Sequence, residues 1–216
     1  MKLYKKQFLE LAIKLNVLTF GEFTLKSGRI SPYFFNAGLF NTGQAAAYLG
    51  RYYANAIKDS EIKFDMLFGP AYKGIPLVAL SASALATAHN IDKPFSYNRK
   101  EIKQHGEGGV IVGAPLGGKV LIIDDVITAG TAVKEAFNLT TELGATVAGL
   151  VISLDRQEIG PSGKSAIQEL EENFNIPVIS IAKLDDLIEL VKNNENLKIH
   201  LSAILKYRDQ FGIKII

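Results

Sequence analysis

Two adjacent carboxylates, Asp124 and Asp125, stand between an apolar run, Val120 to Ile123, and a loop of small residues, Thr128-Ala-Gly-Thr131. A helical pattern from Ala132 to Leu139 follows the loop. The apolar run reads as a short strand buried on both faces. A glycine-containing loop feeding a helix start offers unpaired N–H groups and the positive end of the helix dipole, which together seat a phosphate. The acid pair cannot help to hold that phosphate, because like charges repel. Its use is on ribose hydroxyls, or on a magnesium-bound oxygen, a short distance away. A phosphate cradle beside a hydroxyl-binding acid pair describes a phosphorylated sugar. The plainer alternative is a strand-turn-helix in which the acids cap the helix and Gly130 eases the turn. The coincidence of run, acids and loop in one register favours the phosphosugar.

A second chemistry-bearing stretch is Arg99-Lys-Glu-Ile-Lys-Gln-His-Gly-Glu-Gly-Gly109, where Arg99, Lys100, Lys103 and His105 fall close together. It has no periodicity and reads as a loop or a marginal hairpin. It is either a solvated basic turn or a lid that closes over a polyanion, with its glycines as the hinge. A diphosphate leaving group needs cations where negative charge develops, so the nearby acid pair favours the lid. Tyr72-Lys73, flanked by Gly74 and a helix start, suits a second phosphate site, although a surface turn would read the same way. Two stretches imitate a P-loop. Gly113-Ala-Pro-Leu-Gly-Gly-Lys119 is followed by Val120 instead of Ser or Thr and precedes a strand; Gly163-Lys164-Ser165 has Glu158 where the first glycine belongs. His89 and His200 fall at or in helices and read as packing or surface residues. With no cysteine in the chain, disulfides, thiolate metal sites and Cys nucleophiles are excluded.

The elements that must position these groups alternate. An amphipathic N-terminal helix carries Phe8, Leu9, Ala12, Ile13 and Leu15. Extended pieces at Thr19–Leu25 and Tyr33–Asn36 form a small flap or hood. A helix runs from Thr42 through Lys58. Strands are predicted at Phe64–Gly69, Phe95–Asn98, Val120–Ile123, Ala145–Leu154 and Ile176–Ile181. Helices fill the stretch after Pro70–Gly74 to about His89, Lys164–Asn173 and most of Lys183–Phe211. This is an α/β chain with a twisted parallel sheet flanked by helices. Ligands in such sheets bind outside the strand C-termini, where Asp124, Pro70–Gly74 and Asp155-Arg156 gather.

Composition sets outer bounds. With 216 residues and 48% apolar content, the chain suits one domain with a sizeable core. A formal net charge of +2 is too small for a nucleic-acid coat and points only to local basic pockets. The basic N-terminus lacks the apolar core of a signal peptide, since Glu10 and Lys14 interrupt it. The longest uncharged run, Gly74 to Asn90, is short for a membrane span and holds Pro76. The expectation is a cytoplasmic chain with no nucleic-acid and no membrane partner.

The Asp124–Ala132 stretch resembles the 5-phosphoribosyl-1-pyrophosphate (PRPP) signature of the type I phosphoribosyltransferase family. Thr24-Leu-Lys-Ser-Gly-Arg29 with Ser31-Pro-Tyr-Phe-Phe-Asn36, the Lys100-x-x-Lys103-x-His105-Gly-Glu-Gly loop, and Asp155-Arg156 look like the branch of that family acting on orotate. The likeness runs in order and spacing over essentially the whole chain. It implies one phosphoribosyltransferase domain over 1–216: N-terminal helix and hood to about 42, core sheet from about 60 to 182, and a C-terminal helical segment from about 183. It further implies transfer of 5-phosphoribosyl from PRPP to orotate, giving orotidine 5′-phosphate and diphosphate in pyrimidine biosynthesis. Magnesium would travel with PRPP, with no direct protein ligand required. By the same resemblance, Asp124, Asp125, Val126, Ile127, Thr128, Ala129, Gly130, Thr131 and Ala132 hold the ribose and 5′-phosphate. Tyr72, Lys73 and Lys100 meet the diphosphate. Lys26 sits near base and diphosphate. Phe34, Phe35, Thr128 and Arg156 meet orotate. Arg99, Lys103 and His105 reach into the partner's site of a homodimer, and Lys103, His105, Lys26 and the acid pair carry catalysis. The other readings are a purine phosphoribosyltransferase, which would not need Arg156, and a non-catalytic PRPP-sensing regulator.

Overall fold

The structure, a computed structural model, describes residues 1–103, 109–127 and 130–213, with the backbone alone for 101–103. Helix α1 (Leu3–Lys14) buries Phe8, Leu9 and Ala12. It leads into an antiparallel hairpin of β1 (Leu18–Thr24) and β2 (Ile30–Phe35). The hairpin turn is closed by the Leu25 N–H to the Arg29 carbonyl at 2.8 Å and the Gly28 N–H to the Leu25 carbonyl at 2.9 Å. Helix α2 (Gly43–Ser60) starts where the Thr42 hydroxyl accepts from the Ala45 N–H at 3.2 Å, which satisfies one orphan donor of the first turn.

The remaining elements are β3 (Met66–Gly69), α3 (Gly74–His89), β4 (Phe95–Lys103), β5 (Gly109–Gly113), β6 (Lys119–Ile123), α4 (Thr131–Glu142), β7 (Thr146–Asp155), α5 (Ala166–Phe174), β8 (Val178–Lys183), α6 (Leu184–Lys192) and α7 (Leu201–Phe211). The main sheet has the order β5-β4-β3-β6-β7-β8. Every pair in it is parallel except β4–β5. From β3 the chain pairs first with β4 on one side and then with β6 on the other, so the crevice between β3 and β6 lies at a reversal of strand order.

Successive side chains of the central strands point to opposite faces, and each face has its own core. Leu67, Leu121, Ile123 and Val151 pack beneath α1, α2, α3, α6, α7 and the hairpin. Met66, Phe68, Val120, Ile122 and Leu150 pack beneath α4 and α5. All four residues of Val120–Ile123 are fully buried, each contributing up to about 1.5–3 kcal/mol of apolar burial. The strand that presents the acid pair is thus anchored on both sides.

Two glycines make the β3–α3 connection tight. A Cβ added at Gly69 would lie 2.1 Å from the Gly74 carbonyl oxygen, and one at Gly74 would lie 2.6 Å from Pro70 Cδ. Only glycine at both positions lets Pro70–Lys73 fold back over the end of β3.

Two expectations are corrected. The polar stretch after Asn98 is not a loop throughout: β4 runs on to Lys103, and β5, absent from the sequence reading, pairs antiparallel with it. The sheet is therefore parallel only up to β4. The cause is that β3 ends opposite Tyr97, so Arg99-Lys-Glu-Ile-Lys103 runs past the body of the sheet with β5 alone as its partner and needs no apolar alternation. Helix α4 begins at Thr131, one residue before the apolar pattern does.

Candidate active site

Asp124 and Asp125 follow β6 directly, and their backbone is held by buried polar groups. The Tyr53 hydroxyl of α2 donates to the Asp124 carbonyl at 2.7 Å. The Asp124 N–H reaches the Val151 carbonyl at 3.0 Å. The Asp125 carbonyl accepts from the Ser153 N–H at 2.8 Å and from its hydroxyl at 2.5 Å. Neighbouring strand and helix therefore fix where both carboxylates start.

The two side chains are in different electrostatic states. The Asp125 carboxylate meets the Lys73 ammonium at 2.5 Å, bringing the β3–α3 loop onto the acid pair. Asp124 accepts only the Asp125 N–H, at 2.9 Å, among the described residues. Burial pushes its carboxyl up from 3.8 to about 6. The Asp125 N–H opposes that rise, the Asp125 charge adds to it, and Lys73 opposes it.

Beside Lys73, the Tyr72 ring is 69% exposed and lies 5.0 Å from the Lys100 ammonium, a cation–π distance. The Ala71 N–H donates to the Asn98 side chain at 2.8 Å, fastening this loop to β4. Because Gly69 pairs with Tyr97, Arg99 and Lys100 extend past the C-terminal end of β3, on the side where Lys73 stands. Across the crevice, Gly130 adopts φ +69° and precedes α4, with Thr131 and Ala132 exposed in its first turn. The amide end of α4 is thus presented at the same sheet edge as the acids. Val126 and Ile127 are half-buried and pack into the cores on the two faces, so they offer backbone rather than side chain. Thr128, Ala129, His105 and the Lys103 side chain lie outside the described residues.

Arg156, just beyond β7, belongs to a second group built against the hairpin. Its Nε donates to Glu158 at 2.7 Å and its Nη2 to the Ser31 hydroxyl at 3.0 Å. Its guanidinium stacks 4.2 Å from the Tyr33 ring centroid. Burial works against the Arg156 charge, but Tyr33 and Glu158 outweigh it and hold its pKa above the usual value. Lys26 is exposed in the hairpin turn. Phe34 and Phe35 are not equivalent. Phe34 is 41% exposed and stacks on Phe23 at 5.5 Å, whereas Phe35 packs inward 6.2 Å from Phe8. Strand alternation sends them to opposite faces, so their side chains cannot line one side of a ligand together.

Among the described residues, no group of three or more His, Asp or Glu could hold a metal ion. No helix there is long and apolar enough to cross a membrane. A surface hollow lined by Ile62, Lys63, Phe64, Asp65, Ile91 and Lys119 sits at the opposite end of β3 and β6 from the acid pair. Tyr53, Ser153 and Glu158 were missed as site residues from sequence. Tyr53 reads as core beside Tyr52, Ser153 is a lone hydroxyl in an apolar strand, and Glu158 shows in sequence only as the residue that spoils a P-loop.

The chain is similar to known proteins. The phosphoribosyl transferase domain family matches residues 38–177. The orotate phosphoribosyltransferase of Pseudomonas syringae pv. tomato is 58% identical over 213 residues, covering 99% of this chain and all of that protein. Its counterpart in Shigella sonnei is 57% identical over the same coverage. The crystal structure of the Francisella tularensis orotate phosphoribosyltransferase superposes with a TM-score of 0.87 at 50% identity, covering 95% of this chain and 99% of that one.

Proposed function

The chain belongs to the phosphoribosyltransferase family and, within it, to the orotate phosphoribosyltransferases, and from that premise we propose how its residues carry out the transfer. The reaction moves a 5-phosphoribosyl group from PRPP to orotate, giving orotidine 5′-phosphate and diphosphate in pyrimidine biosynthesis. The C1–O bond to diphosphate breaks with its electron pair leaving on oxygen, and a ring nitrogen of orotate forms the new bond to C1 as its N–H proton is lost to solvent or to the departing diphosphate. Positive charge grows on the ribose ring and negative charge on the leaving oxygens. Groups that meet both at once lower the barrier.

The observation carrying this assignment is the Lys73–Asp125 contact at 2.5 Å on the edge where α4 begins. One small area thereby holds a cation for the diphosphate, carboxylates for the ribose and amides for the 5′-phosphate. Asp124 and Asp125 hold the ribose hydroxyls and face the developing ring charge. Residues 126–132 cradle the 5′-phosphate, with Thr128 also bordering the base. Lys73, Tyr72, Lys100 and Lys26 meet the diphosphate. Arg156 takes the orotate carboxylate, a planar fork being suited to a planar anion, and the exposed Phe34 borders the base while Phe35 anchors β2 to the core. The enzyme is a homodimer in which Arg99, Lys103 and His105 close over the partner's site and exclude water.

Magnesium fits this donor set as a cation that arrives with its substrate. The site offers two carboxylates, one of them already on Lys73, and a hard cation of this kind keeps its other oxygen ligands from phosphate and water. When bound, it neutralises diphosphate charge. Asp124 and Asp125 would act on it through the ribose hydroxyls, with no direct protein ligand required.

The direct test follows loss of orotate absorbance with PRPP and magnesium, with uracil, hypoxanthine and adenine as comparators. Consumption of orotate alone supports the assignment. Equal use of hypoxanthine or adenine would overturn it.

A further inference from the structure

We propose that Glu158 is a positioning residue for Arg156, and that through it the base site discriminates for a carboxylate-bearing pyrimidine. This rests on the assignment of Arg156 to orotate made above. One Glu158 oxygen, Oε1, accepts from Arg156 Nε at 2.7 Å and lies 2.7 Å from Nη2 as well. Nη2 also donates to Ser31 at 3.0 Å, and Tyr33 covers one guanidinium face. The Nε–Nη2 edge and one face are committed to the protein. Among the described residues Nη1 makes no hydrogen bond of ordinary geometry, and the Tyr207 hydroxyl lies against both members of the pair. The guanidinium is held along its Nε–Nη2 edge, which leaves Nη1 as the end without a hydrogen bond among the described residues.

The second Glu158 oxygen explains why the carboxylate itself stays put. Oε2 faces Arg29 Nη1 at 3.9 Å. Arg29 in turn donates from Nη2 to the Ile159 carbonyl at 2.7 Å and lies 4.8 Å from the Phe211 ring centroid. Arg29 closes the hairpin turn that carries Lys26. Two guanidiniums therefore share one carboxylate, leaving one cation in excess in a largely buried contact. A substrate carboxylate restores that balance, and a base without one leaves it unmet. Holding the guanidinium beforehand spares the ordering that a free arginine would need on binding.

Because a single oxygen accepts both Arg156 donors, the amide oxygen of glutamine can replace it, whereas alanine cannot. Glu158→Ala is expected to raise the orotate KM about tenfold or more with the PRPP KM within about twofold, since a misplaced binding group weakens only its own ligand. Glu158→Gln is expected to return the orotate KM to within about threefold of the parent. Glu158→Asp keeps the charge but withdraws the oxygen by one methylene; it should show the alanine pattern and serves if the alanine variant does not fold. Arg156→Ala is measured alongside. If Arg156→Ala raises the orotate KM and Glu158→Ala and Glu158→Asp do not, the positioning role is wrong and the Arg156 assignment stands. If Arg156→Ala leaves the orotate KM unchanged, the Arg156 assignment fails and takes this inference with it. A rise in both KM values together, or glutamine no better than alanine, makes Glu158 a structural link between hairpin and core and overturns the proposal.

Discussion

Replacing Asp124 by asparagine should make the protein more stable at neutral and alkaline pH. The folded state holds this carboxyl at about 6, against 3.8 for a free aspartate, chiefly by burial. A group whose folded pKa lies above its unfolded one contributes stability that is fully present below the unfolded value and lost as pH rises through the folded value. Above pH 7 the ionised side chain therefore weighs against folding. A rise of about two units at 1.36 kcal/mol per unit sets that penalty at about 3 kcal/mol. Asparagine is neutral at every pH, has nearly the same shape, and keeps an oxygen for the Asp125 N–H that Asp124 accepts at 2.9 Å. Asp124→Asn should then gain about 1–3 kcal/mol at pH 8 and raise Tm by roughly 3–10 °C for a chain of this size. The gain should shrink through pH 6 and vanish near pH 4. Thermal unfolding of both proteins from pH 4 to pH 8 provides the assay. A variant less stable than its parent at pH 8, or a Tm difference that ignores pH, would refute the reasoning.

Tyr53→Phe removes the hydroxyl that donates to the Asp124 carbonyl and leaves a buried acceptor unpaired, which should lower unfolding free energy by about 1–3 kcal/mol; urea unfolding with an unchanged slope and a shift below about 0.5 kcal/mol would contradict this. Lys73→Met removes a cation that lowers the Asp124 pKa, so the carboxyl should titrate above its parent value in a carbon-detected NMR titration, and the PRPP KM should rise; a downward shift would show that Lys73 does not face this acid. If the lid serves the partner's site, inactive Lys103→Ala and Asp125→Asn subunits should rescue one another after exchange. A mixed dimer has one intact site, and random exchange leaves about half the dimers mixed, so about a quarter of parental activity should return. No recovery despite proven exchange places the lid in its own subunit.

The parts of the fold legible in sequence are those where local pattern and tertiary demand agree. Val120–Ile123 is apolar at every position because both faces of β6 are covered, and Thr42 stands where α2 needs an N-cap. The edge is where legibility ends: β4 beyond Asn98 has four charged residues and a single apolar one in sequence, and the Val-Ile-Val of β5 is too short to declare itself between glycines. At the site, the acid pair and the α4 loop announce themselves because their chemistry is packed into a few consecutive residues. Ser153 and Tyr53 do not, since a buried hydroxyl looks like any other until its partner is known. The family resemblance points to Arg156, but nothing in the sequence points to its Glu158 partner, whose second oxygen faces Arg29 of the hairpin turn only once the chain is folded. Phe34 and Phe35, adjacent in sequence, are separated by the pleat of β2.

The central claim is that the acid pair acts on the ribosyl group as it ionises. Its most direct test is turnover of Asp124→Asn and Asp125→Asn at saturating PRPP, orotate and magnesium, with folding checked by thermal unfolding. Removing one oriented charge at a transition state is worth on the order of 10²-fold in rate, so each variant should fall by about that factor while remaining folded. Turnover close to the parent in both would contradict the account and leave Asp124 and Asp125 as cap and ion-pair residues of an ordinary strand-turn-helix.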